Sequence, residues 1–183
     1  MEMIHENDPF DRIPPDLTRK RALGLPRTVI RRTLAATTGR EIELADTVFA
    51  GRAIEDEGPM LAGYCDPAFK RGEELATPEV EMIVYEMTKN LTISQFFESC
   101  GRRLPGPKFF TRSQVTVICR DHRDLLREGG NATFFPLEDG VARLRVHGDG
   151  RTDVHVREFS YKYVWNAACQ HRVVLPLVTW YLP

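Results

Sequence analysis

The sequence predicts an α+β fold in which an antiparallel sheet wraps around one long central helix at about 77–101, with a short helix near the N-terminus. Three observations carry this. Thr77 is a good N-cap, Pro78 suits the first helical position, and Gly101 suits a left-handed exit, so the stretch carries both start and stop signals. Its apolar residues cover the helix all round: Val80, Ile83, Val84, Met87 and Leu91 lie on one side, and Met82, Tyr85, Ile93, Phe96, Phe97 and Cys100 cover much of the rest. The flanking segments alternate with the two-residue period of strands. At ~1.5 Å per residue such a helix is roughly 35 Å long, as long as a small domain is wide.

The other elements follow in order. Residues 1–25 read as a flexible arm, polar and interrupted by Pro9, Pro14 and Pro15, and 26–183 as a single domain. A first helix is expected from Pro26 to Gly39, with Val29, Ile30 and Leu34 beneath Arg27, Arg31 and Arg32. Glu41–Ala50 and Pro59–Cys65 read as a hairpin around the turn-rich EDEGP, and Asp66–Ala76 as the loop that reaches the long helix. After the turn RRLPGP, a strand meander is expected. Its members are Thr111–Arg120, Asn131–Leu137, the alternation of Ala142, Leu144 and Val146 with Arg143, Arg145 and His147, a run from Thr152, and a closing strand His171–Tyr181. Phe159, Tyr161, Tyr163 and Trp165 continue the alternation, with a helix at Ser160–Ala168 as the competing reading.

With 183 residues, 42% hydrophobic and 28% charged, the chain has enough apolar material for a substantial core, and it has no apolar run long enough for a membrane span. The opening MEMIHENDPFDR lacks the basic patch and apolar block of a signal peptide. Cys65, Cys100, Cys119 and Cys169 are widely spaced without a CxxC pair, which points to reduced thiols and a cytoplasmic location rather than disulfides or zinc. The net charge of −1 gives no overall pull toward nucleic acid, and none is expected as a partner. The charge is uneven, however: Arg19, Lys20, Arg21, Arg27, Arg31, Arg32 and Arg40 come without an intervening acid. No nucleophile elbow, Walker loop or dinucleotide glycine pattern is present, and no cofactor or metal is expected.

The order of helix, hairpin, long helix and meander resembles the hot-dog fold. More narrowly, Val29 through Glu81 is similar to the long-chain fatty acyl-CoA thioesterase family of actinobacteria, which includes isonitrile lipopeptide biosynthesis enzymes. The similarity rests on Leu61-Ala62-Gly63-Tyr64, the Val80-Glu81 pair and, beyond the helix, Ile118-Cys119-Arg120-Asp121. Where that family has His-Phe-Asn, this chain has Ala76-Thr77-Pro78, so of the helix-opening residues only Glu81 carries over. The resemblance implies a homodimeric acyl-thioester enzyme, a thioesterase, dehydratase or conjugate-addition lyase, acting on acyl-CoA or an acyl carrier protein. The alternative is a non-catalytic partner subunit of such a system. On this reading Glu81 is the base, beside an oxyanion site at the helix N-terminus near Thr77. Tyr64, Asp66 and Lys70 are expected to line the same cleft, and Arg143, Arg145, Arg157 and His147 to hold ligand phosphates or move protons, with His155 on a similar polar face.

Overall fold

The computed structural model describes residues 27–49, 64–71, 76–101, 109–129 and 131–177. Six strands form one mixed sheet: β1 Arg27–Leu34, β2 Val80–Glu86, β3 Ala132–Leu137, β4 Gly140–Val146, β5 Thr152–Arg157 and β6 Arg172–Leu177, in the spatial order β1-β2-β6-β3-β4-β5. All neighbours are antiparallel except β3 and β6, which run parallel and share only the pairs Thr133↔Arg172 and Phe134↔Val173. Among the described residues three short helices accompany the sheet: α1 Ala45–Phe49, α2 Ile93–Gly101 and α3 Arg112–Asp121.

Among the described residues there is no long central helix, and the hot-dog expectation is corrected: the longest helix there, α3, has 10 residues. The stretch 77–101 divides into β2 and α2. Its first half, VEMIVYE, is rich in β-branched residues and becomes a strand buried on both faces, so all-round hydrophobicity reports a central strand rather than a wrapped helix. Its second half begins at Thr92, whose hydroxyl accepts from the Gln95 amide at 3.3 Å while the Gln95 side chain accepts from the Thr92 amide at 3.0 Å.

The same reciprocal cap decides one further correction, and a one-way contact accompanies another. Thr111 and Gln114 form a complete capping box, and the expected strand Thr111–Arg120 is helix α3. Thr38 and Glu41 make a related contact, the Thr38 amide donating to Glu41 Oε1 at 2.8 Å, and the expected strand Glu41–Ala50 is a 3-10 turn, Arg40–Leu44, followed by α1. The expected first helix, Pro26–Gly39, is instead β1, in which Thr28, Val29, Ile30 and Thr33 favour extended backbone. Gly39, at φ 86°, turns the chain out of it. The arm 1–25, the second strand of the expected hairpin up to residue 63, the RRLPGP turn and the chain beyond residue 177 lie outside the described residues.

Two apolar layers result. On one face of the sheet, Met82, Val84, Val174, Phe135, Ala142, Leu144 and Val154 pack under α1 and α3 through Phe49, Val115 and Ile118. On the other, Ile83, Tyr85, Val173, Leu175 and Phe134 pack under α2 through Ile93, Phe96 and Cys100, and under Trp165. The segment 158–171 is neither the continued strand nor the competing helix. It turns at Phe159–Ser160, packs Trp165 on this second face, pairs Trp165 with Leu91, and closes with a 3-10 turn at Ala167–Cys169.

Candidate functional site

Alternation along β4 sends Ala142, Leu144 and Val146 into the first core and leaves Arg143, Arg145 and His147 on the second face. On β5 the matching positions are Asp153, His155 and Arg157. Register places them in rows: Arg143 stands between Phe134 on β3 and His155 on β5, and Arg145 between Ala132 and Asp153. Directly opposed residues have Cβ atoms roughly 5 Å apart, so these polar groups share one surface.

Aromatic rings frame it. Trp165 packs edge-on to Phe134 at 4.9 Å between ring centres and covers the Arg143 guanidinium, whose Cζ lies 5.9 Å from the indole centre. Tyr163 packs on Trp165, Tyr161 stacks with Tyr163, and Arg157 Cζ lies 5.8 Å from the Tyr161 ring. Tyr161 and Tyr163 are 40% and 56% exposed, so their rings are open to a ligand. On the opposite side Tyr64 stacks on His155, the ring centres 4.7 Å apart and the planes 29° from parallel.

The face has more cations than anions. Asp153 is its carboxylate, and both oxygens are taken: Oδ2 by His147 Nε2 at 2.7 Å and Oδ1 by the Tyr64 amide at 2.9 Å. Burial alone would raise the Asp153 carboxyl, but the His147 hydrogen bond, the Tyr64 amide and the charges of His147 and His155 together hold it below its ordinary range. Among the described residues Arg143, Arg145 and Arg157 form no salt bridge, and their buried Nε atoms, like Trp165 Nε1, lack hydrogen-bond partners. Burial, then Arg145 and Arg157, lowers the proton affinity of Arg143, although a guanidinium stays charged. Burial, then Arg143 and Arg157, lowers that of His155.

The structure thus brings Tyr64, Arg143, Arg145 and His147 together with His155 and Arg157. Other expected site residues lie elsewhere. Glu81 is exposed on β2, opposite Thr33 and Leu177, three strand spacings or roughly 14 Å from β4. Thr77 opens no helix: its backbone exchanges hydrogen bonds with Thr37, and the two hydroxyls lie 2.8 Å apart. The oxyanion site expected there is therefore corrected. Lys70 is paired to Asp46 at 2.6 Å. Asp66 caps the turn Pro67–Lys70 through the Ala68 amide and accepts from the Val156 amide at 3.2 Å, so it braces β5 rather than facing a ligand.

Asp153 and Trp165 were not among the sequence candidates. Asp153-x-His155-x-Arg157 is readable as one strand face, but its meeting with His147 depends on the β4–β5 register. No protein-family model, curated protein or solved structure matches this chain. The thioesterase resemblance has no support from these comparisons. No helix among the described residues is long and apolar enough to cross a membrane, and no group of three or more His, Cys, Asp or Glu among them is placed to hold a metal ion.

Proposed function

We propose that the β4–β5 face binds a nucleotide-containing anion, with Arg143, Arg145 and Arg157 on its phosphates and Tyr161 and Tyr163 against its base. The observation that carries this is the excess of half-buried arginines over free carboxylates, beside exposed aromatic rings. Two guanidinium groups roughly 7 Å apart repel by up to about 2 kcal/mol at an effective dielectric of ~20, an upper limit because their outer sides remain in water. A phosphate relieves that repulsion and supplies the missing acceptors, and planar guanidinium groups match phosphate oxygens two at a time. Coenzyme A and its acyl thioesters contain such a nucleotide, so an acyl-CoA belongs to this ligand class. A carrier-protein phosphopantetheine arm has the phosphate without the base. Free cysteines and a nucleotide ligand both suit a cytoplasmic setting.

The test is titration calorimetry of the full chain with adenosine 3′,5′-bisphosphate, coenzyme A, phosphopantetheine and inorganic phosphate at two salt concentrations. The nucleotides should bind more tightly than phosphopantetheine or phosphate, and more weakly at high salt. A hydrogen bond to a charged group contributes about 1.5–3 kcal/mol, so Arg143→Gln or Arg157→Gln should each weaken binding by roughly tenfold or more. Absence of nucleotide binding, or equal binding by the double variant, overturns the reading.

A further inference from the structure

A mononucleotide brings one base, and this face offers two open rings beside a row of arginines. Arg145 and Arg143 are two residues apart on β4, a step of roughly 7 Å, and Arg157 sits one row further on, opposite Val141 on β5, a diagonal of about 8 Å from Arg143. The three cations thus stand in series. We propose that the ligand of this face is a single-stranded nucleic acid, with successive phosphates on Arg145, Arg143 and Arg157 and successive bases against Tyr163 and Tyr161. This rests on the nucleotide-binding reading of the same site and narrows the ligand within it.

The spacing of the arginines is that of a nucleic-acid backbone. Successive phosphorus atoms lie roughly 6–7 Å apart, and when the bases are unstacked they can follow a straight track. Two residue steps along a β-strand cover about the same distance, so each arginine meets its own phosphate instead of sharing one. The buried Nε atoms of all three lack hydrogen-bond partners, and Arg157 Nη1 reaches the Val156 carbonyl only at 3.5 Å. A phosphodiester supplies acceptors to each. The carboxylate in the Arg145 row, Asp153, is occupied by His147 and by the Tyr64 amide, so it does not close the track.

The rings run in the same order as the arginines. Trp165 covers Arg143, Tyr161 lies against Arg157, and Tyr163 stands between those two rings, its centre 4.8 Å from Trp165 and 6.3 Å from Tyr161. Phe159 anchors the segment by packing edge-on against Phe97 of α2 at 5.8 Å. The Tyr161 and Tyr163 planes are 21° from parallel, and their separation is about one nucleotide, so each ring can meet one of two successive bases. Stacking of this kind tolerates any base. A duplex keeps its bases paired and stacked inside, out of reach of both tyrosines. The net charge of −1, from which no nucleic-acid partner is expected, includes acids that lie elsewhere in the chain.

The experiment measures binding of the full chain, by fluorescence anisotropy, to labelled oligouridine and oligothymidine, to a labelled duplex hairpin, and to adenosine 3′,5′-bisphosphate as competitor. At least one of the two single strands should bind about tenfold or more tightly than the hairpin and the bisphosphate, and the tighter of the two names the sugar. Three phosphate contacts predict that log affinity falls with log salt at a slope of about −2, and Arg143→Gln, Arg145→Gln or Arg157→Gln should each flatten it by about 0.7. Tyr161→Ala and Tyr163→Ala, at exposed rings, should each weaken strand binding by at least about fivefold and leave the slope unchanged. Each variant is first checked for an unchanged melting temperature. A strand that binds no more tightly than the bisphosphate, equal affinity for the hairpin, or strand binding untouched by the arginine and tyrosine variants overturns this inference, while binding of the bisphosphate leaves the nucleotide reading standing. Binding of neither strand nor bisphosphate overturns both.

Discussion

Replacing Phe134 with alanine is expected to cost about 3–5 kcal/mol of folding stability, the range for truncating a fully buried phenylalanine. Phe134 is 1% exposed and lies where β3 meets β6, paired to Val173 on one side and Arg143 on the other. Its ring supports Trp165 at 4.9 Å and approaches His171 at 6.1 Å. The loss should exceed what area alone predicts, because Trp165 belongs to the connecting segment 158–171 and has only limited backbone pairing to hold it once the ring beneath is gone. Native stabilities of 5–15 kcal/mol make this a large fraction of the total, so urea unfolding should be followed at low temperature. Phe134→Leu, which keeps most of the volume, should cost less than half as much. A loss below 1 kcal/mol for the alanine variant would show that the second apolar layer contributes little to holding the sheet.

The second large effect is a pH dependence that centres on His171. This ring is buried at the end of β6, and the Ala132 amide donates to its Nδ1 at 3.0 Å. That bond needs the Nδ1 lone pair, so it requires the neutral ring with its proton on Nε2. Burial first, and then repulsion from Arg145 and Arg127, pushes the imidazole down to about 4 from an ordinary 6.5. The unfolded chain therefore takes up its proton first as pH falls. The His171 contribution is complete above pH 6.5 and is lost progressively between 6.5 and 4, up to about 3 kcal/mol in all. His155 is depressed in the same direction and adds to the same window. The acids held below their ordinary range, Asp121, Asp149 and Asp153, act lower. The informative quantity is thus a difference: stability of the wild type minus that of His171→Gln should shrink by 1 kcal/mol or more between pH 7.5 and 5. A difference that stays constant across that range would mean that the ring is not held neutral.

How far the sequence could lead is best seen in its threonines. Thr38-x-x-Glu41, Thr92-x-x-Gln95 and Thr111-x-x-Gln114 each carry the capping signature, and each stands at the start of a helix or helical turn. The last two signatures mark the starts of α2 and α3. Thr77-Pro78 and continuous hydrophobicity point instead to one helix across β2 and α2, since a strand buried on both faces and a buried helix look alike until length and β-branching are compared. The meander was legible because β3, β4 and β5 pair with sequence neighbours through short turns, and alternation alone separates their faces. The face itself was half legible: the arginines and histidines are visible as alternate residues, but the occupation of both Asp153 oxygens and the position of Trp165 over Arg143 depend on contacts distant in sequence. Net charge misleads here for a simple reason. It sums the whole chain, whereas a ligand meets one face.

The narrow parallel seam between β3 and β6 has a consequence for the order in which this protein assembles. On one side of it, β3, β4 and β5 close their contacts between residues a few positions apart, as in Leu137↔Gly140 and Val146↔Thr152. On the other, β1 must find β2 across 59 residues, as Arg27 does Glu86, and β2 must wait for β6 near the end of the described chain. Long closures cost entropy before their contacts repay it, so the meander is the natural nucleus and β1 the last arrival. Native-state hydrogen exchange should find β1 amides opening at lower free energy than those of β4, and equal opening energies would make the sheet one cooperative unit. An unequal pattern would leave the arginine face the most persistent part of the molecule, present in partly opened states that have already released the first strand.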